Sequence, residues 1–148
     1  MNVFNHFREI VVAIIDDLKA EGVLPADLET TRVSVEPSRD AIHGEITSNA
    51  AMVLSKPVGI NPRELAASIS NRLKMLETVT ETEIAGPGFI NMRLTPAFWH
   101  ARLAEILTSG PAYGNSRLGA GEAVNVEYVS ANPTGPLHVG HGRGAAYG

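Results

Sequence analysis

The chain has no cysteine. That excludes disulfides and thiolate metal sites, and it fits a reducing cytosol, where the protein is expected to work. Nowhere does it approach the roughly 18 consecutive apolar residues that a membrane span needs. The N-terminal stretch MNVFNHFREIVVAII lacks the basic start of a signal peptide and places Arg8 and Glu9 ahead of its apolar run, so it reads as an amphipathic helix. Positive charge is also scarce. Twelve Lys and Arg against 16 Asp and Glu leave a net charge of −4 and a pI near 5.7. No global electrostatic footprint for nucleic acid exists, so any RNA contact has to be local or shared with another part of the protein. Three familiar motifs are missing as well. The dinucleotide fingerprint G-x-G-x-x-G fails because Ala145 stands where its third glycine belongs. The Walker loop fails for want of Gly-Lys-Ser/Thr, and no glutamate occupies the HExxH position.

What remains is globular composition, 44% hydrophobic and 19% charged. A length of 148 residues suits one ordinary domain, or a smaller domain and part of another. Apolar positions Phe4, Phe7, Val11, Ile14, Ile15 and Leu18 recur at helical spacing over 3–21, closed by Gly22 and Pro25. Residues 32–36 predict a short strand ended by Pro37. HGEITSNAAMVLSK predicts a turn and then a helix capped by Thr47 or Ser48. Asn61, Pro62 and Glu64 form a clean helix start, with Leu65, Ile69, Leu73 and Leu76 on one side. Residues 79–85 and 89–94 predict a hairpin about Gly86-Pro87-Gly88. Its second strand puts Ile90, Met92 and Leu94 on one face and Phe89, Asn91 and Arg93 on the other. Thr95-Pro96 opens a further helix with Trp99, Leu103, Ile106 and Leu107 inward, ending at Gly110-Pro111.

Residues 111–123, rich in glycine and without apolar periodicity, predict a linker between a domain over 1–110 and a second region over 124–148. VNVEYV at 124–129 predicts a strand, and Gly140 to Gly148 a helix start. The expected class is α+β: a small N-terminal domain of helices packed on a short antiparallel sheet, followed by a strand and a helix start.

The stretch SANPTGPLHVGHGRG, at 130–144, then joins a strand to a Gly-rich helix start through a loop held by Pro133 and Pro136. Helix N-termini present free N–H groups and the positive end of the dipole, which suits phosphate. Gly140 and Gly142 leave the backbone open to a flat ring or a phosphate. His138 and His141 share one helix face and can donate to the same polyphosphate. HxxH can also ligate a metal, but zinc wants three or four ligands and His6, His43 and His100 lie in other elements. No structural metal is expected. A solvated Gly-rich turn with incidental histidines stays open on spacing alone.

VEYVSANPTGPLHVGHGRGAAYG resembles the start of the catalytic domain of the arginyl-tRNA synthetases, bacterial type, and HVGH resembles the first class I signature, His-x-Gly-His. HGEITSNAAMVLSKPVGINPRELA and AGPGFINMRL resemble the additional N-terminal domain of the same family, so most of the chain is covered. The resemblance implies an enzyme that uses ATP, with Mg, to attach arginine to its tRNA. It implies that His138 and His141 bind ATP and stabilise charge on the departing pyrophosphate. Gly140 would let adenine pack on the backbone. Ser130 and Asn132 would hold the arginine α-amino end, and Glu127 would pair with the guanidinium. A carboxylate matches a guanidinium with two bonds, although Glu127 by its alternation with Val126 can equally be an exposed strand residue.

In the N-terminal domain the resemblance implies that Phe89 and Asn91 contact an exposed base of the tRNA D-loop. Positions i and i+2 of a strand share a face, where a ring can stack on a base and an amide read its edge. Arg93 extends that face toward phosphate. The plain alternative is that Phe89 flanks a hairpin and packs on a helix. A stand-alone RNA-binding module and a small HxxH metal hydrolase are the rival functions.

No Lys-Met-Ser-Lys-like segment, the second class I signature, occurs in the chain. By itself the chain is therefore expected not to aminoacylate. Arginyl-tRNA formed by the purified chain above a matched control would refute this. The strand at 124–129 has no parallel neighbours, and parallel sheets are covered on both faces. Residues 112–148 are accordingly expected to be loosely ordered, or to pack in a borrowed way in an oligomer. Rapid amide exchange is the expected result, and strong, uniform protection in dilute monomer would contradict it.

Overall fold

A computed structural model describes residues 2–117, 119–132 and 134–148. Pro133, expected to hold the loop before the histidines, lies outside the described residues. The chain divides into two compact units, one through Ser109 and one from Gly110.

In the first unit, α1 (Val3–Ala20) is capped by Asn2, whose side chain accepts from the Asn5 N–H at 3.1 Å. It buries Phe7, Val11, Ile14, Ile15 and Leu18 of the expected stripe, while Phe4 is half-buried against the core. Two short strands follow, β1 (Val35–Pro37) and β2 (Ile46–Ser48), then α2 (Ala50–Val58) and α3 (Pro62–Leu73). β3 (Val79–Ala85) and β4 (Phe89–Leu94) form the expected hairpin, and α4 (Pro96–Ser109) ends the unit. The sheet order is β1-β2-β4-β3, antiparallel throughout. Ile46, Ile90, Met92 and Leu94 face the helices and join Leu54, Leu65, Ile69 and Leu73 in one core.

Several local expectations are corrected. The strand near residue 35 includes Pro37 as its last residue, because an edge strand tolerates a missing N–H. Where the turn and cap ahead of α2 are expected, residues 46–48 form β2, whose pairing comes from β1 and β4 on either side. The residue at the cap of α2 is Asn49, and it makes no side-chain cap bond. Instead the fully buried Ser48 hydroxyl accepts from the Ala50 N–H at 3.2 Å and donates to the Ser34 carbonyl at 3.2 Å. Asn61 does cap α3, accepting from the Arg63 N–H at 2.9 Å, with Pro62 in the first turn. At the far end Arg72 pairs with Glu21, whose hydrogen bond holds the guanidinium above its ordinary pKa.

α4 turns a different face inward. Phe98 is buried, packed edge-on against Phe7 with centroids 5.5 Å apart, whereas Trp99, Leu103, Ile106 and Leu107 are exposed. Helical spacing finds a stripe but not the partner that buries it, and the core accepts the one ring nearest β4.

In the second unit, 124–129 forms no strand, and Val124, Val126 and Tyr128 are exposed. A strand exists only through its ladder partner, and the described residues of this unit supply none. α5 (Val139–Tyr147) does form, starting one residue before Gly140.

Candidate nucleic-acid interface and nucleotide-binding segment

The face of the sheet away from the helices carries Glu36, Thr47, Asn91 and Glu83 in one row across all four strands, by the registers Glu36↔Thr47, Thr47↔Asn91 and Glu83↔Asn91. A loop over 38–45 leaves β1 and returns over this face. Arg93 pins it by donating to the Ile42 carbonyl at 2.9 Å. His43 Nδ1 lies 3.2 Å from Glu83 Oε2, and the Glu45 N–H donates to the Met92 carbonyl at 3.0 Å. The loop reaches the sheet so closely that a Cβ on Gly44 would stand 2.5 Å from the Met92 oxygen. With φ at +113°, only glycine serves there.

The result is a cleft of about 480 Å³ between loop and sheet, lined by Arg39, His43, Thr47, Phe89 and Asn91 among others. Phe89 stands at its mouth, 39% exposed, directly after the turn that Arg63 anchors by donating to the Gly86 carbonyl. Asn91 forms part of its floor. Although on the sheet's open face, Asn91 is only 5% exposed, and its amide makes no hydrogen bond with any described residue. The amide atoms themselves are not sealed off, so they present both a donor and an acceptor to whatever enters the cleft. Phe89 and Asn91, expected on one face, are thus brought together in one cleft. Arg93 is engaged elsewhere, with the loop carbonyl and with Glu81 at 3.7 Å. Thr47 and His43 also line the cleft; from the sequence Thr47 is expected only as a helix cap and His43 only as a histidine remote from the HxxH pair. Thr47 lies opposite Asn91, a register that only the unrecognised β2 supplies.

In the second unit the two histidines are in contact. Their rings stack with centroids 3.7 Å apart. His138 Nδ1 accepts from the Gly140 N–H at 3.1 Å, and His141 Nδ1 accepts from the His138 N–H at 3.3 Å. The pair is a reciprocal cap on α5, a histidine version of the capping box. Accepting at Nδ1 requires each neutral ring to carry its proton on Nε2, so each keeps one outward donor. Gly140 is needed for this, since a Cβ there would meet the His138 ring at 2.9 Å. Glu127, Ser130 and Asn132 lie on the exposed irregular segment before the helix. Their side chains make no hydrogen bond to a described residue. Among the described residues no group of three His, Cys, Asp or Glu is placed to hold a metal, and no helix is long and apolar enough to cross a membrane.

Residues 5–94, which build the sheet and the cleft, match the family described as the arginyl tRNA synthetase N terminal domain. The chain belongs to the arginyl-tRNA synthetase family. It is 63% identical over its whole length to the arginine–tRNA ligase of Parvibaculum lavamentivorans and 55% identical to that of Rhodospirillum rubrum. It spans about a quarter of the length of each, so it is an N-terminal fragment relative to them. A stand-alone RNA-binding module is not favoured by relatives of this kind. Among solved structures, the arginyl-tRNA synthetase of Thermus thermophilus superposes with a TM-score of 0.52 and 27% identity, covering 97% of this chain and 21% of that one. The Plasmodium falciparum enzyme, at a TM-score of 0.57 and 15% identity over 70% of this chain and 18% of its own, shares the fold.

Proposed function

We propose that the chain is the tRNA-contacting and ATP-signature portion of a cytoplasmic arginine–tRNA ligase. In this reading the domain over 1–110 holds an exposed base of the tRNA D-loop, and the linker over 111–123 leads to the beginning of a class I catalytic domain over 124–148. The observation that carries the RNA role is Asn91, a residue only 5% exposed whose amide opens into the cleft with no protein partner among the described residues, beside an aromatic ring that lines the same cleft. A splayed base satisfies both features at once, stacking on Phe89 and hydrogen-bonding to Asn91.

In the reaction the arginine carboxylate attacks the α-phosphorus of ATP and pyrophosphate leaves; a terminal hydroxyl of the tRNA then attacks the arginyl carbonyl, the acyl–phosphate bond breaks and AMP leaves. The chain's part in it is positional and electrostatic. His138 and His141 donate from Nε2 to the phosphates, and Gly140 admits the adenine. Ser130 and Asn132 hold the α-amino end, and Glu127 takes the guanidinium. The reciprocal capping of the histidines supports this, because it fixes the tautomer that leaves both donors outward. Magnesium would neutralise the phosphates. The reading is tested with Phe89 and Asn91 both replaced by alanine in the full-length enzyme. A large rise in KM for tRNA is expected, and unchanged arginylation kinetics would remove the assigned role.

A further inference from the structure

Phe89 has a second side. Beyond it lies an open groove of about 810 Å³ lined by Arg32, Asn49, Met52, Val53, Lys56 and Phe89. One aromatic ring therefore separates the cleft that holds Asn91 from a groove that holds two cations.

Those cations are distinguished by being uncommitted. In the first unit Arg8 donates to the Val33 carbonyl, Lys19 pairs with Asp16, Arg63 donates to Gly86, Arg72 pairs with Glu21, and Arg93 is held by Ile42 and Glu81. Arg102 pairs with Glu105. Among the described residues of this unit Arg32, Arg39, Lys56 and Lys74 take no such partner. Three of these four line the two depressions that meet at Phe89; Lys74 lines neither. The backbone around Arg32 is also fixed in place. Asn49 donates from Nδ2 to the Arg32 carbonyl at 3.2 Å and accepts from the Ser34 N–H at 2.8 Å, tying that loop to the start of α2, which carries Lys56. A neighbouring depression is shared by Arg32 with Asp27 and Glu29, an acidic border that keeps polyanion on the Lys56 side.

We infer that Arg32 and Lys56 are a phosphate track for the RNA strand whose base enters the cleft, with Phe89 as the partition between base and backbone. This rests on the reading of the cleft as a base pocket. The chain's net charge is −4, so whatever phosphate attraction the domain exerts must be concentrated in such a place. Phosphate contacts position a nucleic acid without reading its sequence, whereas the cleft reads the base.

The two roles separate in a salt titration of tRNA binding by the full-length enzyme. Replacing Arg32 and Lys56 together by alanine is expected to make the slope of log K against log salt shallower by about 1.4, since each phosphate that a single strand no longer has neutralised removes about 0.7. It should weaken the natural tRNA and a tRNA with a substituted D-loop base by the same factor. Lys74→Ala is expected to leave the slope unchanged. An unchanged slope in the double variant, or an equal flattening from Lys74→Ala, overturns the track. If Phe89→Ala and Asn91→Ala still impair binding in that case, the base pocket stands and the track alone fails; if they too have no effect, the reading of the cleft fails first.

Discussion

Asn91→Ala in the full-length enzyme is expected to raise KM for tRNA by about five- to a hundred-and-fiftyfold, while kcat at saturating tRNA stays near its original value. The range follows from leaving a desolvated base edge unpaired, which costs about 1–3 kcal/mol. What makes the prediction sharp is that the same substitution should barely alter stability. A buried amide with protein partners would strand a donor or an acceptor when removed. The Asn91 amide has no partner among the described residues, so its loss strands nothing. A thermal midpoint close to the parent's, with a large change in KM, is the pattern of a recognition residue. A lowered midpoint with unchanged KM would assign Asn91 to the fold instead. Phe89→Leu is the companion variant. It keeps apolar bulk at the mouth of the cleft but gives up a stacking face whose loss costs about 1–3 kcal/mol.

Asn91 also shows where sequence reading reaches its limit. Alternation along β4 places it beside Phe89, away from Ile90 and Met92, and that is where it lies. Alternation implies an open, solvated residue, however, and Asn91 is nearly buried. The cause is remote in sequence: the loop over 38–45 is laid across the sheet by Arg93, by the His43–Glu83 contact and by a glycine that fits against β4. Local signals served well where the physics is local. The α1 stripe, the Asn61-Pro62 start of α3 and the Gly86-Pro87-Gly88 hairpin are all set by neighbours within a few residues. They served poorly where a partner decides. Three residues, Ile46 to Ser48, carry no strand periodicity of their own and become β2 because two strands flank them. The apolar stripe Trp99, Leu103, Ile106 and Leu107 is real as a pattern, but the first unit buries Phe98 in its place. VNVEYV has strand composition and finds no ladder among the described residues.

The histidine pair offers two explanations for the same residues, and one substitution separates them. As a cap, His138 needs only an acceptor placed over the Gly140 N–H, and asparagine is among the best residues for that task. As an ATP ligand it needs the Nε2–H on the far side of the ring, which asparagine's short side chain cannot project. His138→Asn in the full-length enzyme should therefore keep α5 while removing the phosphate donor. The expected result is a fall in kcat of about 10²–10³, the usual effect of deleting a positioned donor to developing charge. His141→Gln makes the matching change at the third helical residue, where a glutamine can still reach back to the His138 N–H. Activity retained in both variants, with the helix intact by amide protection, would make the rings caps and nothing more. Activity lost together with the helix in His138→Asn would mean that stacking of the two rings at 3.7 Å, which asparagine cannot supply, is part of how the site is held. Gly140→Ala adds a second reading. Its Cβ displaces the His138 ring without removing either imidazole, so a fall in kcat with an unchanged KM for ATP traces to ring orientation, whereas a raised KM for ATP traces to the lost room for adenine.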